Sequence, residues 1–310
     1  MLTAIQMDPI ASINPRNDST LILMLEAQAR GHALYYYTPK DLHMRDGAPA
    51  AHACPITVRP DATDYYTLGE ARTLPLSEVD CVLMRQDPPF DLAYITATHI
   101  LERASPRTRV FNDPGAVRNH PEKLFPLAFP KFLPPTLISA DPDAIRAFHA
   151  EQGEVVLKPL YGHGGRAVFR IARDRANLEA LLELMFTHAK EPVVAQRFLP
   201  EVNTQERRII LIDGNICGAF GRTPASGDIR SNMRVGGTPV PAELTPRQRK
   251  IAQEVGAACR EKGLLLAGLD VIGDWLTEIN LTSPTGLRQL KTLYGLAPEK
   301  DFWDAAERRG

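Results

Sequence analysis

The chain has 310 residues, 44% of them hydrophobic and 24% charged, with a formal net charge of −1. That length allows two or three compact domains, each with its own core, and the composition is that of a soluble globular protein. Charges of both signs are interspersed, which excludes a broad basic field for nucleic acid, and no apolar run is long enough to span a membrane.

The opening MLTAIQMDPI lacks the charged start and long apolar region of a signal peptide. Cys54, Cys81, Cys217 and Cys259 have no CxxC spacing and sit in apolar neighbourhoods. The expectation is four reduced, inert thiols in a cytoplasmic protein, with neither a zinc site nor a disulfide framework. The 26 prolines cluster at loops such as Asp87-Pro88-Pro89, where they stiffen connections between periodic segments.

Leu2 to Met7 reads as a short apolar strand. Asp18 caps a helix with the stripe Leu21, Ile22, Leu25 and Ala29, closed by Gly31. Strands are expected at Leu34 to Tyr37, Val79 to Met84 and Val110-Phe111, with a proline-broken stretch before the second and a helix over Tyr94 to Ala104. The Tyr35-Tyr36-Tyr37 run reads as strand packing. This alternation favours a parallel α/β sheet over residues 1 to about 120. Ligands in such sheets bind beyond the carboxyl ends of the strands, where Asp8 and Arg85 fall.

PEKLFPLAF places Lys123 on a short helix. Asp141-Pro142 starts a helix that Gly153 ends. EVVLKPLYGHGGRAVFRI then reads as strand, glycine loop, strand, with Lys158 closing the first strand. Gly162, Gly164 and Gly165 leave a loop whose backbone N–H groups can lie over phosphates beside a lysine. It is not a Walker A loop, since no GK[ST] and no helix follow; a flexible hairpin turn is the plainer alternative. Asp174 caps a helix through Ala189, a strand runs from Pro192 to Phe198, and two strands flank the turn Asp213-Gly214. Thr223 to Thr238 is polar and aperiodic, as expected of a mobile loop that closes over a site. A helix runs from Thr245-Pro246 to Gly263.

The stretch GLDVIGDWLTEINLTSPTG, Gly268 to Gly286, reads as two strands joined by a tight turn, with Asp270, Glu278 and Asn280 embedded in them. Glu278 and Asn280 are two apart and share a face. A three-residue loop at Gly273-Asp274-Trp275 would set Asp270 opposite Glu278, whereas a two-residue loop would set it opposite Thr277 and separate the carboxylates. Two carboxylates and an amide oxygen on one face suit a hard cation that keeps open positions for phosphate oxygens; solvated acids on an ordinary hairpin are the alternative.

In this order the pieces resemble the ATP-grasp ligases and, within them, the bacterial glutathione synthetases. The resemblance runs through MDPIASIN, LMRQDPPFD, EKLF, LKPL, RIILIDG, NMRVGG and the Gly268 to Gly286 stretch, and covers nearly the whole chain. It implies an α/β ATP-grasp fold in three domains. These are a Rossmann-like (pre-ATP-grasp) substrate domain at 1–120, a central lid domain at 121–200, and a C-terminal domain at 201–310 with the metal site and the 223–238 loop. The implied reaction joins γ-glutamylcysteine and glycine with ATP, through an acyl phosphate, to give glutathione, ADP and phosphate.

The resemblance also implies roles. Asp270, Glu278 and Asn280 would hold Mg²⁺ or Mn²⁺. Lys123, Lys158 and the loop of Gly162, Gly164 and Gly165 would take the phosphates, and an edge strand at Gln196, Phe198 and Leu199 would take adenine. Arg208, Arg222, Arg230 and Asn232 would stabilise the transferring phosphoryl group and the tetrahedral intermediate. Asp8, Arg85, Ser283, Pro284 and Thr285 would bind the dipeptide. A homodimer or homotetramer is implied, with no membrane or nucleic-acid partner. His163 reads as a loop residue rather than a base.

Tyr161 stands where the family usually carries aspartate, Arg166 where a small residue is common, Arg234 where alanine is usual and Phe198 where tyrosine is frequent. The competing readings are another ATP-grasp carboxylate–amine ligase and a non-catalytic ATP-binding regulator. RQDPPF at Arg85 to Phe90 argues against the first, and the full set of lysines and metal ligands against the second.

Overall fold

The structure is a computed structural model that describes residues 1–104, 106–188, 191–223 and 236–309. Strand β1 (Leu2–Gln6) is central to the first sheet, with Ala4 and Ile5 wholly buried. Helix α1 (Ser19–Ala29) follows, and Asp18 caps it by accepting from the Leu21 N–H at 2.6 Å. Then come β2 (Ala33–Tyr37), β3 (Leu42–Arg45), β4 (Ala48–Val58), β5 (Tyr66–Leu68), β6 (Arg72–Pro75) and β7 (Cys81–Met84). Helix α2 (Leu92–Glu102), β8 (Arg109–Phe111) and α3 (Pro114–Asn119) complete the region.

The order β3-β4-β2-β1-β7-β8 contains the expected parallel core β2-β1-β7-β8. The proline-broken stretch holds more order than its sequence suggests. β4 is an antiparallel strand carrying Pro49 and Pro55, and its buried Ala51 and Ala53 keep the alternation of a half-buried strand.

The second sheet is antiparallel, in the order β11-β10-β12-β9. Its elements are β9 (Thr136–Ser139), α4 (Pro142–Gln152), β10 (Val155–Pro159), β11 (Phe169–Ile171), α5 (Leu178–His188) and β12 (Val193–Arg197). Three expectations change here. Lys123 lies in a turn ahead of a 3₁₀ segment at Phe125–Ala128, not on a helix. α5 starts at Leu178 because Arg175 and Asn177 adopt positive φ, which breaks the helix that Asp174 would have capped; Asp174 instead accepts from the Ala176 N–H. β12 is internal, paired with β10 and β9, so it offers no free edge, and the Phe198 N–H already donates to Glu154 O at 2.9 Å.

The third sheet has the order β15-β14-β13-β16-β17. It is built from a short α6 (Val202–Gln205), β13 (Glu206–Ile212), β14 (Asn215–Thr223), β15 (Thr238–Pro241), α7 (Pro246–Glu261), β16 (Leu266–Ile272) and β17 (Trp275–Asn280). Thr245 starts α7 with a capping box to Gln248. Helices α8 (Leu287–Tyr294) and α9 (Pro298–Arg308), which the sequence reading left unassigned, carry the chain back to α1. There the buried Trp303 donates Nε1–H to Leu23 O at 2.8 Å.

The first and third sheets share two continuous apolar cores. One joins Ala4 and Val82 to Ile209 and Leu269; the other joins Ile5 and Leu83 to Ile210 and Trp303. Asn112 locks the same junction, donating to Leu266 O and Leu281 O and accepting from the Leu266 N–H. The second sheet has a separate core around Ile145, Leu157 and Leu182. Among the described residues no helix is long and apolar enough to cross a membrane.

Candidate active site

Two hairpins of the third sheet aim its charged side chains. In each the turn has two residues and a bulge follows. Around Asp213-Gly214 the pairing Leu211↔Ile216 shifts to Ile210↔Gly218, leaving Cys217 as the extra residue. Around Gly273-Asp274 the pairing Val271↔Leu276 shifts to Asp270↔Glu278, leaving Thr277 extra. The first bulge turns Arg222 toward Glu206. The second brings the two carboxylates directly opposite each other on one face, despite the two-residue turn. Thr277 marks the bulge by donating its Oγ1–H to Asp270 O at 3.0 Å.

Asp270 is 5% exposed and faces two arginines. Arg208 places Nε 2.7 Å from Oδ1 and Nη2 3.2 Å from Oδ2, and Arg222 Nη2 is 3.0 Å from Oδ2. Arg222 also clamps Glu206, with Nε 2.9 Å from both carboxylate oxygens. Two guanidiniums thus balance two carboxylates, and Asp270 and Glu206 hold the Arg222 pKa above its ordinary value against the pull of burial.

Lys123 Nζ lies 2.9 Å from Glu278 Oε1 and donates to Gly162 O. β17 positions this lysine, because the Ile279 N–H donates to Glu122 O at 3.0 Å. Burial alone would raise the Glu278 pKa, but Lys123 and Lys158 outweigh it and bring it down to about 2. Lys158 Nζ donates to Gln196 Oε1 at 3.2 Å, and burial lowers its pKa to about 8. Glu122 accepts from the Leu281 and Thr282 N–H groups and from Thr282 Oγ1, while burial and Glu278 push its pKa up.

These groups line two cavities. The first, about 900 Å³ including open solvent, lies between the second and third sheets. All the residues expected to hold a nucleotide line it: Lys123, Lys158, the three loop glycines, Gln196, Phe198 and Leu199. Gly164 and Gly165 adopt φ of 64° and 77°, which a side chain would strain. Tyr161, beside this loop, stacks on Phe90 of the first region with ring centroids 6.0 Å apart. The Arg170 guanidinium lies 4.1 Å from the centre of the Phe198 ring.

The second cavity, about 1600 Å³ including open solvent, lies between the first and third sheets. It collects all five expected dipeptide residues: Asp8, Arg85, Ser283, Pro284 and Thr285. Arg85 is buried, donating Nε–H to Thr20 Oγ1 at 3.1 Å and Nη2–H to Pro284 O at 3.0 Å, while Ser283 Oγ donates to Arg85 O. Asp8 accepts from the Asp87 N–H at 2.7 Å. The cavities meet at His163, Gly164, Arg222 and Glu278, which line both.

Asp270, Glu278 and Asn280 fit a hard divalent cation. Among the described residues no three His, Cys, Asp or Glu side chains gather as a metal cluster, and the amide oxygen of Asn280 would have to serve as the third donor. Asn280 directs its Nδ2–H to Gly268 O at 3.1 Å, and Asp270 Oδ1, although ion-paired with Arg208 Nε at 2.7 Å, is buried and accepts no aligned hydrogen bond. A buried anionic oxygen in that state has a vacant acceptor position. Arg230 and Asn232, most of the 223–238 loop and Arg234 lie outside the described residues.

Sequence reasoning missed Glu122, Glu206, Thr282, Asp18 and Gln289. Glu206 shares a strand face with Arg208, a signal within reach of the period-2 pattern, but its pairing with Arg222 depends on the bulge at Cys217.

The architecture is that of the ATP-grasp fold. A D-cycloserine synthetase superposes with a TM-score of 0.69 at 18% identity, covering 99% of both chains. The ATP-grasp ligase PsnB, solved with a minimal precursor, gives 0.63 at 19% identity, covering 100% of this chain and 99% of that one.

Sequence comparison narrows the class. The prokaryotic glutathione synthetase N-terminal domain matches residues 1–118, and the prokaryotic glutathione synthetase ATP-grasp domain matches 122–295. Glutathione synthetases from Rhodopseudomonas palustris and Bradyrhizobium diazoefficiens are 52% and 53% identical, each over 99% of this chain and 98% of the relative. That of Vibrio cholerae is 42% identical over 98% of this chain and 96% of its own length. The chain belongs to the prokaryotic glutathione synthetase family and is an ATP-dependent ligase.

Proposed function

We propose that this chain joins glycine to the cysteinyl carboxylate of γ-glutamylcysteine, forming glutathione, ADP and phosphate. The observation that carries the reading is the meeting of the two cavities at Arg222 and Glu278. A phosphate chain reaching out of the first and a carboxylate reaching out of the second would meet there.

A carboxylate resists amine attack because its charge and resonance make the carbon a poor electrophile. Its oxygen attacks the γ-phosphorus of ATP, the bond to the bridging oxygen breaks, and ADP leaves. The free amine of glycine then attacks the acyl carbon of the acyl phosphate. The tetrahedral intermediate expels phosphate, and the surplus amine proton passes to phosphate or water.

The protein's part is positioning and charge neutralisation. Lys123, Lys158 and the 162–165 loop neutralise and cover the phosphates. Arg208 and Arg222, already oriented by Asp270 and Glu206, offer guanidinium N–H groups to the transferring phosphoryl group and the oxyanion. Arg230 and Asn232 are assigned to the same task. Gln196, Phe198 and Leu199 take the base at the exit of an internal strand. Asp8, Arg85 and Ser283 to Thr285 hold the dipeptide. Asp270, Glu278 and Asn280 would hold Mg²⁺, with Mn²⁺ as a substitute; the ion would offset the charge of the phosphates.

Division into domains near residues 120 and 200, a homodimer or homotetramer, and a cytoplasmic location complete the proposal; the separate core of the second sheet supports the domain division. The test is trapping. With ATP, Mg²⁺ and γ-glutamylcysteine but no glycine, hydroxylamine should yield the cysteinyl hydroxamate and one ADP for each. ADP release without hydroxamate would exclude the acyl phosphate.

A further inference from the structure

β17 is the edge strand of the third sheet, so the N–H groups on its outer side need acceptors from outside that sheet. One residue supplies them. The Ile279 N–H donates to Glu122 O at 3.0 Å, and the Leu281 and Thr282 N–H groups donate to Glu122 Oε1 at 3.1 and 3.3 Å. Thr282 Oγ1 donates to the same oxygen at 2.8 Å. Ile279, Leu281 and Thr282 are all buried, where an N–H without an acceptor is costly, so these bonds fasten the end of β17 to Glu122.

The tie falls between functional groups. Ile279 stands between Glu278 and Asn280, the residues assigned to the metal, and Leu281-Thr282 leads from Asn280 into Ser283 and Pro284 on the wall of the second cavity. On its other side Glu122 is followed by Lys123, whose Nζ lies 2.9 Å from Glu278 Oε1 and donates to Gly162 O in the glycine loop. Two consecutive residues therefore join the loop over the first cavity, the metal face and the wall of the second. The second sheet has a core of its own, so the spacing between the cavities is not set by shared packing and has to be set by contacts such as these.

We infer that Glu122 is a positioning residue for the reaction. By fastening residues 279–282 to Lys123 it fixes the distance between the γ-phosphoryl group and the dipeptide carboxylate. It acts through Lys123 and Thr282, not on the reacting atoms. The inference rests on the proposed reaction. A misplacement of about 1 Å can cost about a hundredfold in rate, whereas Lys158 and Arg85, assigned to the separate ligands, are anchored elsewhere. Loss of the tie should therefore show in the rate and not in binding.

The test measures single-turnover ADP formation from ATP, Mg²⁺ and γ-glutamylcysteine, beside calorimetric binding of ADP and of γ-glutamylcysteine, each alone. Glu122→Met removes the side-chain acceptor and should slow ADP formation about a hundredfold, with each dissociation constant within about threefold of the wild type. Glu122→Gln keeps an acceptor oxygen and should restore the rate to within about threefold. Thr282→Val removes only the hydroxyl bond and should slow the step about tenfold, again with binding unchanged. It carries the reading if the methionine variant does not fold.

An unchanged rate in Glu122→Met or Thr282→Val, a glutamine variant as slow as the methionine one, or binding weakened in step with the rate would overturn the positioning role and leave the proposed reaction standing. A wild type that forms no ADP with γ-glutamylcysteine would overturn the reaction and the inference with it.

Discussion

The two cavities differ in what holds their walls together. The dipeptide cavity lies between two sheets that share continuous cores, Ala4 with Ile209 and Ile5 with Ile210, so its walls are parts of one packed body. The nucleotide cavity has one wall on the second sheet, whose core around Leu157 is separate, and it is closed from above by a glycine loop. One cavity is preformed. The other depends on a few contacts that tie the second region to the rest, such as the Lys123–Glu278 ion pair at the cavity and the Phe90–Tyr161 ring pair beside its glycine loop. The proposed reaction confines chemistry to the seam, so residues there should affect both ligands and residues deeper in either cavity only one.

The seam should show the largest effect. Glu278→Gln removes a carboxylate held ionised by two lysines, and turnover should fall about a thousandfold or more with the fold intact by circular dichroism. Asp270→Asn should do the same and also lower the melting temperature, since it leaves Arg208 and Arg222 with Glu206 as their remaining carboxylate in the quartet. Near-normal activity in both would remove the metal assignment.

Next, Arg85→Met should raise the KM for γ-glutamylcysteine about a hundredfold with that for ATP unchanged, and Lys158→Met should raise the KM for ATP about tenfold with that for the dipeptide unchanged. Coupled changes in both constants would mean that the cavities are not independent.

The nucleotide cavity should also be the pH-sensitive one. Burial brings the Lys158 pKa from 10.5 down to about 8, so in the unliganded protein its ammonium loses its charge as pH rises through that value. Bound phosphates favour the ammonium and raise its pKa, so ADP binding takes up a proton and weakens as pH rises through about 8. Calorimetry in buffers of different ionisation enthalpy reads this directly. For folding, the unfolded chain holds more protons between about 8 and 10.5, so this residue's burial penalty fades as pH rises through that window. The smallest effect is expected from Tyr161→Ala. Losing one stacked ring pair should raise the KM for ATP by less than about tenfold, because such a pair contributes only about 1 kcal/mol.

Legibility in the sequence follows the same division. The nucleotide cavity is made of short contiguous pieces, so Lys158 and the loop glycines could be read from a strand end and glycine spacing, while Gln196 to Leu199 came with the family resemblance. The dipeptide cavity joins Arg85 to Pro284 and Thr20 to Arg85, pairings that no local period encodes. There the family resemblance located Ser283 to Thr285, and Gln289 went unseen. The metal face lies between these cases. The sequence leaves its turn open between two and three residues, with the alignment of Asp270 and Glu278 expected only of the longer; the structure has the shorter turn, and the extra residue Thr277 that restores the alignment leaves no trace in a two-residue period. Helix α5 shows the opposite error, where a good cap at Asp174 was overridden by the positive φ of Arg175 and Asn177.

The most direct test is phosphate release from ATP and Mg²⁺ with γ-glutamylcysteine, with glycine added or omitted. Sustained release that requires both the dipeptide and glycine, with one glutathione formed per phosphate, is the predicted result. ATP binding with no phosphate release under any of these conditions, or turnover only with a different donor or acceptor, would contradict it.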